Sequence, residues 1–190
     1  MTRFVALASV LLLGVTTATA DRGRHRRPHR PPPPVSLDGL RELASACQDA
    51  FDGPTNEQSC MATIANSRTR HAVRPMISAC ENGFDGDSSE LACLAIAVAA
   101  WQDPAAQITA CENAFDGDVN ELICVRTLAS SWLPASAVTA CENAFDGDAN
   151  EQTCLATIVG TRYEPSELVR YCEDSFDGDD NELACIAQYR

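Results

Sequence analysis

Apolar positions recur with a helical period through most of the chain, and the recurrence is broken at regular places. Ile108, Cys111 and Phe115 stand at i, i+3 and i+7, one face of a helix. Leu122, Val125, Ala129 and Trp132 follow at i, i+3, i+7 and i+10, again one face. Between the two runs, Asp116-Gly117-Asp118 predicts a stop and a restart. Gly117 suits the left-handed conformation that closes a helix. Asp118 stands three residues before Glu121, the capping-box spacing that opens the next helix. Pro75, Pro104, Pro134 and Pro165 are placed to open the first helix of later units, where a missing N–H costs nothing.

This helix–turn–helix pattern repeats. Cys111 to Cys124 returns almost verbatim as Cys141 to Cys154, and looser copies run Cys47 to Cys60, Cys80 to Cys93 and Cys172 to Cys185. Within every copy the cysteines are 13 positions apart, and the first cysteines step by 33, 31, 30 and 31 residues. A period of this length marks an array in which each unit buries its apolar face against its neighbours. The pattern predicts an all-α fold: a short solenoid of five antiparallel helical hairpins. The units lie near 35–70, 71–102, 103–132, 133–162 and 163–190. Trp101, Trp132 and Tyr163, each near the end of a second helix, are expected to pack against the following unit.

The cysteine spacing says what closes each hairpin. Cys111 lies six residues before Gly117 and Cys124 six after Asp118. At the helical rise both sit roughly 9 Å from the turn, level on facing helices. That is the arrangement a disulfide requires, so the expected bridges are Cys47–Cys60, Cys80–Cys93, Cys111–Cys124, Cys141–Cys154 and Cys172–Cys185. Zinc would call for closely spaced cysteine pairs and histidines, whereas residues 35–190 hold only His71. Closing a loop of this size is worth about 3 kcal/mol per bridge in the chain-entropy model.

Ten cysteines in pairs need an oxidising space, and the start of the chain agrees. Arg3, the apolar run Phe4 to Val15 and Ala18-Thr19-Ala20 read as a secretory signal over residues 1–20, too short for a good membrane span. The mature protein is therefore expected to be secreted or periplasmic, with no transmembrane segment. Residues 21–34 form a leader with five arginines before four prolines, read as a disordered, semi-rigid arm.

Charge narrows the function. The 190 residues carry a net charge of −13, and every positive charge is arginine, which excludes Schiff-base chemistry and a phosphate-loop lysine. The leader is basic, while residues 31–190 hold eight arginines against twenty-six acids. Such a body disfavours nucleic acid and favours a protein partner with a basic surface. The alternate placement of Asp116, Asp118 and Asn120, repeated as Asp146, Asp148 and Asn150, resembles the opening of an EF-hand loop and a short excalibur-type calcium loop. Calcium is therefore a candidate ligand. Against the EF-hand pattern, Glu121 occupies the glycine position and Thr127 that of the bidentate glutamate. Capping also accounts for Gly117, Asp118 and Glu121, without a metal. Nucleophilic catalysis finds no serine or cysteine paired with a histidine. Carboxylates for a hydrolase recur identically in every unit, as scaffolding does. No cofactor is expected. The leading expectation is a non-enzymatic structural or interaction scaffold, then a calcium-binding repeat, then a hydrolase.

Overall fold

Helices of this chain are short, between 10 and 14 residues in length, and helices of that size are marginal alone in water. Packing and cross-links must therefore hold them. The computed structural model describes residues 37–67, 69 and 71–190. The expected signal (1–20) and leader (21–34) lie outside the described residues, as do Arg68 and Arg70.

Ten helices and no strand occur among the described residues: α1 (Leu37–Ala50), α2 (Pro54–Asn66), α3 (Val73–Gly83), α4 (Asp87–Ala97), α5 (Pro104–Ala114), α6 (Asp118–Ala129), α7 (Ala135–Ala144), α8 (Asp148–Ile158), α9 (Pro165–Ser175) and α10 (Asp179–Gln188). Consecutive helices pair as hairpins. The first helices stack as α1, α3, α5, α7 and α9, and the second as α2, α4, α6, α8 and α10. The result is a two-row solenoid of five hairpins. Among the described residues no helix is long and apolar enough to cross a membrane.

Each hairpin is stapled across its middle. The bridges are Cys47–Cys60, Cys80–Cys93, Cys111–Cys124, Cys141–Cys154 and Cys172–Cys185, with Cα atoms 5.7 or 5.8 Å apart. All ten cysteines are buried and lie in one continuous core with Met76, Ile77, Leu94, Ile108, Leu128, Leu155 and Ile158. Fully burying one such aliphatic side chain contributes roughly 1.5–3 kcal/mol. The turn phenylalanines depend on stacking. Phe51, Phe84, Phe115 and Phe145 are at most 5% exposed, whereas Phe176 of the fifth hairpin is 46% exposed.

Some local expectations need correction. Pro104 and Pro165 do occupy the first turn as helix openers. Pro75, however, is the third residue of α3, and Pro134 stands just outside α7 as its N-cap. Trp101, Trp132 and Tyr163 do not bury against the next unit; they are 61%, 72% and 56% exposed. Loops beyond the helix ends carry them, where the Trp101 ring meets that of Trp132 in the following hairpin at 5.4 Å without burying either.

Candidate functional site

The repeated turn is where the chemistry of the chain concentrates. In the third hairpin, α5 ends at Phe115, whose extended backbone (φ −118°, ψ 146°) turns the chain out of the helix. Gly117 then takes φ +84° with ψ 144°. This is an extended positive-φ conformation that is essentially glycine-only, not the left-handed helical one. Gly117 is also the N-cap of α6, accepting at its carbonyl from the N–H groups of Asn120 (3.0 Å) and Glu121 (3.2 Å). Asp118 is thus the first helical residue, and its side chain makes no cap hydrogen bond within its own helix. The expected Asp118–Glu121 capping box is replaced by a glycine cap. Gly53, Gly86, Gly147 and Gly178 repeat it in the other hairpins.

Released from capping, the aspartate serves the preceding unit. Asp118 Oδ1 accepts from the Asp85 N–H of the second turn at 3.4 Å. Asp87 accepts both from the Asp52 N–H and from Asn56 Nδ2 of the first turn. Asp148 accepts from Asn120, and Asp179 accepts from Asn150. The same asparagines tie down their own turns, because Asn120 Nδ2 also donates to the Asp116 carbonyl (3.1 Å) and Asn150 Nδ2 to that of Asp146 (3.3 Å). Gln152 Nε2 completes the junction by donating to Asn120 Oδ1 at 3.2 Å. Each turn is therefore spliced to the next through side chains that in sequence look like ligands for a cation. Of the calcium candidates, Asp148 and Asn120 meet each other across a unit boundary, Asp118 and Asn150 are engaged with other turns, and the Asp116 and Asp146 side chains are exposed. Among the described residues no group of three or more His, Cys, Asp or Glu side chains is close enough to hold a metal ion.

Beneath the splice lies a second series, of which the sequence singles out only Glu121, as a capping residue. Glu90, Glu121, Glu151 and Glu182 are 6–7% exposed, and in each the Oε2 atom is buried without a hydrogen-bond partner. Burial pushes the Glu121 carboxyl up to about 7; the negative charges of Asp118, Glu112 and Asp85 add to the rise, and the Gly117 backbone N–H opposes it. Glu151 is pushed up to about 6 by burial, then by Asp148, Glu142 and Asp116. Glu90 and Glu182 rise for the same leading reason. Glu57 of the first hairpin, with no earlier turn against it, is only half-buried.

Because splicing holds the turns together, their remaining carboxylates form one row. The five Cys-to-Cys segments contain twenty-one acids and no arginine, whereas the rest of residues 35–190 holds five acids and eight arginines. His71, the one histidine of residues 35–190, lies in the loop between the first two hairpins with Nε2 3.1 Å from the Ala100 carbonyl oxygen. Comparison with protein-family models, with curated proteins and with solved structures finds no match to this chain.

Proposed function

We propose that this chain is a non-enzymatic interaction scaffold of an oxidising compartment, secreted or periplasmic, and that it binds a protein with a basic surface along its row of stapled turns. One observation carries the reading: the acids concentrate on five turns that hydrogen bonds lock into register. A preorganised row of like charge binds an extended cationic surface without first losing side-chain and loop entropy. Five disulfides suit such a compartment and keep the row intact there.

A hydrolase fits less well. A carboxyl raised to about 7, as at Glu121, has the acidity of a general acid. Yet Glu121 is buried, and the same arrangement recurs in four hairpins. For calcium, Asp118, Asn120, Asp148 and Asn150 already have protein partners across the unit boundaries.

Calorimetric titration of the protein with an oligoarginine peptide tests the proposal. Binding is expected at low ionic strength, weakening steeply with added salt. The double variant Asp116→Asn/Asp146→Asn, which removes two exposed charges from the row, is expected to bind more weakly while keeping its fold. Equal affinity in that variant, or no binding at low salt, would sink the proposal. A parallel calcium titration is expected to give no saturable heat; a saturable signal lost in the same variant would favour the calcium reading.

A further inference from the structure

The fifth hairpin departs from the repeat at two positions that the others fill with alanine or larger aliphatic residues. Tyr171 stands where the earlier hairpins have Ala46, Ala79, Ala110 and Ala140, and Tyr189 where they have Ile64, Ala97, Leu128 and Ile158. Tyr163 lies in the loop before α9. These are the three tyrosines of the sequence, and all three line one cavity of about 260 Å³, together with Glu167 and Leu168. Scaffolding recurs in every unit of an array, whereas this feature is built once, by departures from the repeat.

Local structure holds the rings in place. Glu167, Leu168 and Tyr171 stand at i, i+1 and i+4 of α9, so that helix offers a carboxylate and a ring beside a buried leucine. One hydroxyl ties down the other two tyrosines: Thr161 Oγ1 accepts from the Tyr163 N–H at 3.3 Å and donates to the Tyr189 carbonyl at 3.2 Å. The Glu164 carboxylate caps α9 by accepting from the Glu167 N–H at 2.8 Å. The Tyr163 and Tyr171 rings stand at 88° and 87° to that of Tyr189, with centroids 5.4 and 6.0 Å away. Rings at right angles wall a box rather than form a flat stack. Tyr163 and Tyr171 are more than half exposed, so the box opens to solvent.

We propose that this tyrosine-walled cavity binds a quaternary ammonium group. Aromatic faces carry negative potential and attract a cation that has no N–H to donate. Glu167 is the one lining residue that is charged at neutral pH, and its sign suits a cation. Arg162, Arg170 and Arg190 adjoin the three tyrosines in sequence, but none of them lines the cavity. A volume below the ~300–1,000 Å³ of common ligand pockets restricts the occupant to a small headgroup. The site does not depend on the acidic-row proposal.

Choline is the probe, and dimethylbutanol, its uncharged carbon isostere, is the control. In the full chain with isotope-labelled tyrosine, the NMR ring signals report on this cavity alone, because no other tyrosine exists. Saturable shifts of all three tyrosines are expected with choline, and much smaller ones with the isostere. Tyr171→Ala, which restores the residue of the other hairpins, is expected to weaken choline ~10-fold at unchanged circular dichroism, while Tyr171→Phe binds as the parent does. Glu167→Gln is expected to weaken it ~3-fold, and less at high salt. Phosphatidylcholine vesicles form a second arm: shifts with vesicles as well as choline assign the group to a lipid headgroup, and shifts with choline alone to a free molecule. No saturation with choline, an equal response to the isostere, or unchanged affinity in Tyr171→Ala would overturn the proposal and leave the tyrosines as a cap on the stack.

Discussion

Replacing Glu121 by glutamine should make the array more stable at neutral pH, the reverse of the usual result for a buried side chain. The glutamate titrates at about 7 in the folded chain against an ordinary 4.5. A folded value above the unfolded one means that the ionised form is what the fold tolerates badly. The cost is therefore absent below about pH 4.5, grows as pH rises through the interval, and is complete above about 7. At 1.36 kcal/mol per pH unit the ceiling is about 3 kcal/mol. Local relaxation and water entry reduce this to an expected 1–2 kcal/mol, roughly 2–8 °C in midpoint for a body of this size. The substitution also removes the charge that Asp118, Glu112 and Asp85 now repel. Thermal unfolding of the non-reduced protein, followed by circular dichroism at pH 7.5 and pH 5.0, provides the assay. The unmodified chain should melt higher at pH 5.0 than at 7.5. Glu121→Gln should gain most at 7.5 and little at 5.0, with Glu167→Gln, an exposed control, leaving the pH dependence unchanged. A Glu121→Gln variant less stable than the parent at pH 7.5 would refute the reasoning.

The splice makes a graded prediction. Asn120→Ala removes bonds to the Asp116 carbonyl, the Asp148 carboxylate and the Gln152 amide and should cost ~1 kcal/mol or more. Asn181→Ala, whose side chain bonds only within its own turn, should cost a few tenths; equal losses in urea titrations would argue against a link between units. Gly117→Ala should cost ~1–3 kcal/mol because φ is +84°. Since an added Cβ meets nothing within 4 Å, Gly117→Ser should cost the same, and a marked dependence on side-chain size would point to crowding instead.

What sequence could reveal was whatever is local. The hairpin and its staple follow from Cys111, Phe115, Gly117 and Cys124, all within one turn of chain, so helical rise and disulfide reach were enough to place them. The partner of Asp118 was not legible. It accepts from the Asp85 N–H, 33 residues earlier, and only stacking reveals which turn comes next. The same limit hid the burial of Glu121, since a glutamate three residues after an aspartate reads as a capping box until the preceding turn is placed over it. Trp132 was misjudged for the opposite reason. It continues the apolar stripe of α6 by count, but the helix ends at Ala129 and the loop carries the ring outward.

The central claim is that five self-contained stapled hairpins make up the array. Cleaving the non-reduced protein with a protease specific for acidic residues, which cuts inside each turn, and mapping the linked peptides tests it most directly. The account predicts five bridged pairs, every one joining cysteines 13 residues apart. A bridge between cysteines of different hairpins, or a cysteine recovered as free thiol, would contradict it.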